Sequence, residues 1–306
     1  MRNTRQSKRR IITIASTLAA LGLIGLTAKA PVLADSLPLP NPGMIWMISS
    51  TSLDRLASQP GARTLVHRFF GSAQHSILVD GPGASMAPLS ATRSVSFASY
   101  GALRSHLENR SAAKRSHVVV LDLESWPQTP RQEQRRPALY YRMAGGLARR
   151  RGLTLIATPS PNLLPSAPGQ SEPIYVRYLD SGLIGQIAAY ADVFEVQAQG
   201  LERSTALYAQ FVAAAADQAR DANPHVAVIA GLSTNPGGRA VAAAQLYRDV
   251  VAAQPYVDGF WLNIPKRGKA CPRCGVPRPK AAVELLRHLE HEKVFAPGAP
   301  ISTLPS

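Results

Sequence analysis

Short runs of apolar and β-branched residues recur along the chain, and they constrain its fold more than any other feature. Each run is five to eight residues long, which is typical of buried parallel strands. Helical patterns lie between or after several of them, at 133–151, 204–222, 240–253 and 280–291. Helices that alternate with buried strands indicate an α/β fold with a parallel sheet. The strand candidates are 43–49, 76–80, 93–98, 117–124, 153–158, 192–198, 225–232 and 258–264.

Eight strand candidates predict a (β/α)8 TIM-like barrel, with an open doubly wound sheet as the alternative. Residues 43–306 are long enough for a single barrel domain, because such barrels take about 250 residues. The alternation is irregular in the first third, since the residues between 80 and 93 read as a loop. A long loop at 159–180 follows the fifth candidate, and long loops at that end of a barrel strand usually carry function.

The N-terminus has the pattern of a secretory signal. Residues 2–10 contain five basic residues and no acid, residues 11–26 are uncharged and mostly apolar, and small residues follow at spacings suited to cleavage. We therefore predict that residues 1–34 are a signal peptide or, if uncleaved, an N-terminal anchor that meets the membrane through 11–26. A Pro-rich lead-in covers 35–42. The protein is expected to be secreted or otherwise extracytoplasmic.

The charge distribution argues against a nucleic-acid partner. The net charge of +15 falls to +9 beyond residue 34, where 28 basic residues face 19 acids. These charges are scattered. The longest basic run, 149–151, lies at the end of a predicted helix, which is typical of a solvent-exposed helix face. The sequence contains no phosphate-binding loop, dinucleotide fingerprint or nucleophile elbow, and its histidines lack a metal-ligand spacing. We predict no cofactor and no metal.

The two cysteines, Cys271 and Cys274, lie in a Cys-Pro-Arg-Cys sequence. In an oxidising compartment a disulfide that staples a loop is the simplest interpretation. A zinc site would require further ligands, such as His288 and His291. A redox motif would require a helix to begin here, which the Pro-rich residues 275–279 disfavour. We predict the disulfide, and the other two interpretations stay open.

Polar side chains fall on the inner face of four predicted strands, near their carboxyl ends. Active sites of barrels lie at that end. Buried polar groups are costly unless they are paired, so agreement among four strands indicates a functional opening at this end of the barrel, here called the mouth. The alternative is a structural network in which these polar side chains form hydrogen bonds with one another and cap the barrel. The candidates are Asp122, Glu124, Glu195, Gln197, Gln199, Ser233, Asn235, Trp261 and Asn263, with Trp126 directly after the first pair.

The pair Asp122 and Glu124 points to acid catalysis on a glycan. Two residues apart on a strand, their Cβ atoms lie about 7 Å from each other. A nearby carboxylate raises the pKa of its partner, and glycoside hydrolysis requires a protonated acid at the leaving oxygen. Trp126 and Trp261 offer aromatic faces for sugar rings, and the amides and hydroxyls offer hydrogen bonds. We predict Glu124 as the acid, Asp122 as its modulator and the other candidates as substrate contacts.

Two resemblances support this interpretation. The sequences DLESWPQTP at 122–130, GLSTNP at 231–236 and FWLNIP at 260–265 resemble an uncharacterised family of exported proteins from high-GC Gram-positive bacteria, which implies kinship without an activity. More loosely, the strand ending in Asp122-x-Glu124, the later glutamines and the last-strand Trp are similar to chitinase-type glycoside hydrolases. This similarity implies a barrel in which the Glu is the acid, the Asp assists it and an acetamido group of the substrate acts as nucleophile.

Three functions remain open from the sequence. Residues 117–121 contain no acid, whereas the chitinase-type motif has acids there. The chain could therefore be a hydrolase of an envelope or extracellular glycan, or a barrel that binds a glycan or envelope polymer without catalysis. It could also be a structural envelope protein whose mouth is plugged by the 159–180 loop.

Overall fold

The computed structural model describes residues 43–81, 89–108, 117–165, 171–268 and 271–292. These residues belong to one compact unit. The predicted signal segment, the whole of the Pro-rich lead-in and residues 166–170 lie outside the described residues. No helix within these described ranges is both long and apolar enough to cross a membrane.

Eight parallel strands form a closed barrel, which confirms the predicted fold over the doubly wound sheet. Each strand pairs with its neighbours in sequence, and the last strand closes the barrel against the first. Every predicted run overlaps one strand. The strands are β1 (Ile45–Ser49), β2 (Ser76–Asp80), β3 (Thr92–Phe97), β4 (Val118–Leu121), β5 (Thr154–Ala157), β6 (Val193–Val196), β7 (Ala227–Ser233) and β8 (Gly259–Asn263).

Helices cover the outside of the barrel. Pro137 splits the predicted helix 133–151, because proline is favoured in a first helical turn and disrupts a helix interior. The described helices are α1 (Ser50–Ala57), α2 (Arg63–Phe70), α3 (Tyr100–Glu108), α4 (Arg131–Arg135), α5 (Pro137–Arg150), α6 (Ile174–Asp180), α7 (Leu183–Ala188), α8 (Thr205–Ala222), α9 (Ala243–Ala253) and α10 (Pro279–His291).

The first third departs from a regular alternation, as predicted. Two helices, α1 and α2, follow β1. The described residues between β2 and β3 contain no helix, and residues 82–88 are outside the described ranges.

Strand alternation separates an outer core from an inner one. Outward residues such as Val119, Leu121, Phe194 and Phe260 pack under the helices. The inner face is apolar through most of the barrel and becomes polar toward the carboxyl ends of the strands. Its apolar residues are Ile45, Met47, Ile77, Val79, Val118, Val120, Ile156, Val193, Ile229 and Trp261.

Candidate functional site

The polar end of the inner face opens into a cavity of about 560 Å³. Part of its wall comes from the region predicted as the 159–180 loop, through Ser160, Asn162 and Tyr175. Residues 174–180 of that region form α6, so the loop prediction was wrong there. Eight of the ten predicted mouth residues line it, and Glu195 and Asn235 do not. The eight are Asp122, Glu124, Trp126, Gln197, Gln199, Ser233, Trp261 and Asn263.

Asp122 directly follows β4 and is fixed by the two next strands. Its Oδ1 accepts a hydrogen bond from Thr158 Oγ1 at 2.9 Å and one from Gln197 Nε2 at 3.3 Å. Gln197 Nε2 also donates to the Thr158 carbonyl at 2.9 Å, which holds the amide in place. Because Oδ1 accepts both bonds, Oδ2 is the oxygen available to carry a proton.

Glu124 is positioned by Asn162, a residue that the sequence analysis missed. Asn162 Nδ2 donates to Glu124 Oε2 at 3.3 Å, and Asn162 Oδ1 accepts from the Ser125 N–H at 2.7 Å. Asn162 belongs to the 3-10 turn Pro161–Leu163, which follows β5. The amide of Asn162 therefore connects the carboxyl that follows β4 to the turn that follows β5. The available sequence signal for Asn162 was its position in the region predicted as the 159–180 loop.

Burial gives the carboxyl pair unusual protonation. It raises the pKa of Asp122 to about 8, and the adjacent Glu124 carboxylate adds to that rise. Burial also raises the pKa of Glu124, against the opposing effect of the Asn162 hydrogen bond. The sequence hypothesis invoked repulsion between the two carboxylates, and in the structure burial is the larger cause of both raised pKa values. Since two close carboxyls resist double ionisation, the pair retains a proton at neutral pH.

Two tryptophans provide the aromatic part of the wall. Trp126 Nε1 donates to Thr129 Oγ1 at 2.7 Å, and Thr129 Oγ1 donates to the Ala98 carbonyl at 2.7 Å. This chain of bonds anchors the Trp126 indole to the end of β3. Trp261, from the inner face of β8, lines the cavity as well. The mouth thus combines two indole side chains with the amides of Gln197, Gln199 and Asn263.

Glu195 lies beneath the mouth and supports it, so the structure does not place it as the predicted substrate contact. Its side chain is fully buried, and Oε1 accepts from Gln199 Nε2 at 3.2 Å. Oε2 has no hydrogen-bond partner among the described residues. Burial raises the pKa of Glu195 far above its usual range, and the negative charge of Asp122 contributes. A neutral Glu195 therefore holds Gln199 from below.

The space for the Glu195–Gln199 pair comes from Gly231 on the neighbouring strand β7. A Cβ at Gly231 would lie 2.2 Å from Gln199 Nε2 and 2.4 Å from Glu195 Oε1. Gly231→Ala is therefore expected to displace Gln199 and to lower the free energy of unfolding by about 1–3 kcal/mol, the usual cost of overpacking. Urea denaturation measures the change.

Gly146→Ala is the matched control for this prediction. Gly146 is inside helix α5, where a Cβ would meet Arg150 Nη1 at an ordinary 3.5 Å. Alanine should stabilise that helix by about 0.5–1 kcal/mol. If Gly231→Ala were neutral or stabilising too, Gly231 would not be required for the Glu195–Gln199 pair.

Asn235 has a structural role, which corrects its prediction as a substrate contact. Its buried Nδ2 lies within hydrogen-bond distance of the carbonyl oxygens of Pro265 (3.2 Å), Cys274 (2.5 Å) and Val276 (3.2 Å). These carbonyls belong to the loop after β8. The amide is consequently occupied by backbone and holds that loop against the end of β7.

The same loop contains the predicted disulfide. Cys271 and Cys274 are bonded to each other, with their Cα atoms 5.4 Å apart, and both line the mouth together with Arg273. The disulfide agrees with the predicted loop staple and leaves no free thiolates for zinc. The helix that the redox alternative requires does not begin here, since the next helix begins at Pro279. Across the described ranges, no cluster of three or more His, Cys, Asp or Glu side chains could hold a metal ion.

Tertiary contacts bring further residues to the mouth that the sequence analysis did not identify. Thr158 fixes Asp122, and the Tyr175 hydroxyl donates to the Gln199 carbonyl at 2.8 Å. Arg273 contributes a positive side chain from the disulfide loop. Thr158 continues the alternation of inward and outward residues along β5, and this alternation could have placed it on the inner face. Tyr175 lies near the start of α6 and Arg273 lies in the disulfide loop, and strand parity gives no signal for either position.

No protein-family model and no curated protein gives a significant match to the chain. Among solved structures, it is similar to a GH18 chitinase from Pseudoalteromonas aurantia, with 11% identity, a TM-score of 0.46, and 81% of this chain and 99% of that chain covered. A sugar phosphate isomerase/epimerase from Parabacteroides distasonis has 9% identity, a TM-score of 0.42 and coverages of 84% and 98%. The spore cortex-lytic enzyme SleL from Bacillus megaterium has 10% identity, a TM-score of 0.36 and coverages of 83% and 75%.

Proposed function

We propose that the protein hydrolyses a glycan, with Glu124 as general acid and Asp122 as the partner that keeps a proton in the pair. The observation that carries this proposal is a half-buried carboxyl pair with raised pKa values at the end of β4, inside a cavity lined by two indole rings and four side-chain amides. This combination suits a sugar, because rings stack on its apolar faces while amides bind its hydroxyls.

In the proposed reaction, Glu124 transfers its proton to the glycosidic oxygen as the bond from that oxygen to the anomeric carbon breaks. The pair then carries one more negative charge, which favours the positive charge that develops on the sugar ring. Water finally adds to the anomeric carbon and returns a proton to Glu124. Asn162 orients the carboxyl, while Thr158 and Gln197 hold Asp122 beside it.

The nucleophile is proposed to come from the substrate. Among the described residues that line the mouth, Asp122 and Glu124 are the only acids, and both follow the same strand. A separate carboxylate on the opposite side of the sugar ring, as in enzymes with a carboxylate nucleophile or base, is not among them. An acetamido group on the sugar would supply the missing nucleophile, in line with the resemblance to chitinase-type barrels.

The second candidate function is a barrel that binds a glycan without cleaving it. The observation that favours it is the absence of acids at 117–121, where Val118 and Val120 occupy the inner face of β4. The same aromatic rings and amides would serve binding alone. Export is part of both proposals, supported by the signal-like N-terminus and by the disulfide, which persists in oxidising compartments.

Sugar release by purified protein separates the two functions. Residues 35–306 would be incubated with chitin, peptidoglycan, galactosaminoglycan and plant polysaccharides, and new reducing ends would be counted. We expect release from at least one N-acetylated polymer. Absence of release, combined with a higher melting temperature in the presence of soluble oligosaccharides, would favour the binding barrel. Absence of both effects would contradict both functions.

A further inference from the structure

A second cleft, of about 620 Å³, lies next to the mouth. Asn162 lines both cavities, and its side chain contacts Glu124, so the two cavities meet at the proposed acid. A polymer bound across the mouth could extend into this cleft. The polar residues of its wall are Ser125, Arg131, Gln134, Arg135, Asn162 and Ser181.

Several polar groups of this wall already have partners within the protein. Gln134 Nε2 donates to the carbonyl oxygens of Trp126 at 2.9 Å and Thr129 at 2.7 Å. Ser181 Oγ donates to a main-chain carbonyl at 2.7 Å. A ligand in the cleft would therefore find its hydrogen-bond donors mainly on the two arginines.

Arg131 and Arg135 are four residues apart on α4, which places them on the same side of the helix. Both are exposed, and within the described ranges neither takes part in an ion pair or hydrogen bond. Each guanidinium has five N–H donors and no acceptor, in a planar arrangement that matches carboxylate and phosphate oxygens. No acid is among the described residues that line the cleft.

We propose that this cleft binds the oxyanion groups, carboxylate or phosphate, of an acidic envelope glycan whose backbone occupies the mouth. The inference rests on the proposed function, since it takes the mouth to be the glycan site, and it narrows the substrate class to acidic glycans. A neutral polymer offers no group of opposite charge to the two guanidiniums, so binding energy from the cleft would discriminate against it.

The test measures binding of the intact protein to three soluble polymers by affinity electrophoresis. One polymer is neutral hydroxyethyl cellulose, one is a polyuronate and one is a poly(glycerol phosphate) teichoic acid. Arg131→Gln/Arg135→Gln should weaken binding to one or both acidic polymers by about tenfold, which corresponds to about 1.4 kcal/mol. Binding to the neutral polymer should change little. The acidic polymer that responds identifies carboxylate or phosphate as the group recognised.

The matched control removes two arginines elsewhere, in Arg149→Gln/Arg150→Gln. These exposed residues end α5, which leads into the amino end of β5, opposite the mouth. An equal loss of binding in both double variants, or no loss in either, would overturn the inference. Arginine-dependent binding without any sugar release would leave the cleft in place and remove the hydrolase. If instead the wild type and the Arg131→Gln/Arg135→Gln variant bind and cleave a glycan equally, the hydrolase proposal stands and the inference about the cleft fails.

Discussion

A Glu124→Gln variant is expected to hydrolyse the substrate about 10²–10⁴-fold more slowly than the wild type, the usual contribution of a general acid. Glutamine keeps the size of the side chain and an oxygen that can accept the Asn162 bond, but it has no acidic proton to transfer. The loss should therefore appear in kcat, while the affinity for oligosaccharide, measured by calorimetry, should change by less than about threefold. The wild-type rate should also fall as pH rises above about 8, because the carboxyl pair then loses its proton.

Glu284→Gln is the control for this prediction. Glu284 lies on α10, its side chain is 44% exposed and it approaches Lys280 at 4.0 Å, so its replacement should leave kcat unchanged. The melting temperature of both variants would show that the barrel is intact. Equal kcat in wild type and Glu124→Gln would contradict the assignment of Glu124 and would require another proton donor.

Strand parity accounts for most of what the sequence predicted correctly. A side chain on a barrel strand faces either the helices or the interior, so apolar residues at Val119, Leu121 and Leu123 were sufficient to place Asp122 and Glu124 on the inner face. Closure of the barrel then brought the strand ends together. The sequence could therefore predict both the fold and eight of the residues around the mouth.

Depth and loop packing explain what the sequence could not predict. Glu195 has the correct parity, but it lies beneath Gln199, and depth depends on how neighbouring strands are staggered. Asn235 follows β7 at the mouth, but its amide bonds to carbonyls of a loop about 30–40 residues further along the chain. Asn162 reaches Glu124 through a 3-10 turn. Contacts between distant loops leave no periodic signal in the sequence.

The mouth is expected to cost the protein stability. Asp122 and Glu195 place carboxyl groups where burial disfavours their charged forms. An amide in either position would remove this penalty, yet the proposed reaction needs a proton that can leave. Residues that oppose stability in this way are common at functional sites. The cost should be measurable at Asp122, because its pKa lies within an accessible pH range.

Asp122→Asn is expected to stabilise the protein at alkaline pH and to have little effect near pH 4. Below about pH 4 the carboxyl is protonated in both the folded and the unfolded chain, so it costs nothing. Between about pH 4 and about 8 the unfolded chain ionises it and the folded chain does not. The unfolded state therefore binds fewer protons, and the stability of the wild type falls as pH rises. Above about pH 8 the folded carboxyl ionises as well and the decline ends.

Asparagine removes this pH-dependent loss of stability, because it does not titrate. Its side-chain oxygen can still accept the hydrogen bonds from Thr158 and Gln197. The full pKa difference would amount to about 5–6 kcal/mol, but Asp122 is partly open to the mouth, so we expect a gain of about 2–4 kcal/mol at pH 8.5. Urea denaturation from pH 4 to 9 measures it, with exposed Asp217→Asn on α8 as a control that should show no comparable gain at pH 8.5. A difference between Asp122→Asn and wild type that stayed constant over this range would show that Asp122 is not the buried proton carrier. A gain that grows with pH, accompanied by slower hydrolysis, would mean that the mouth retains this carboxyl for its proton at the expense of stability.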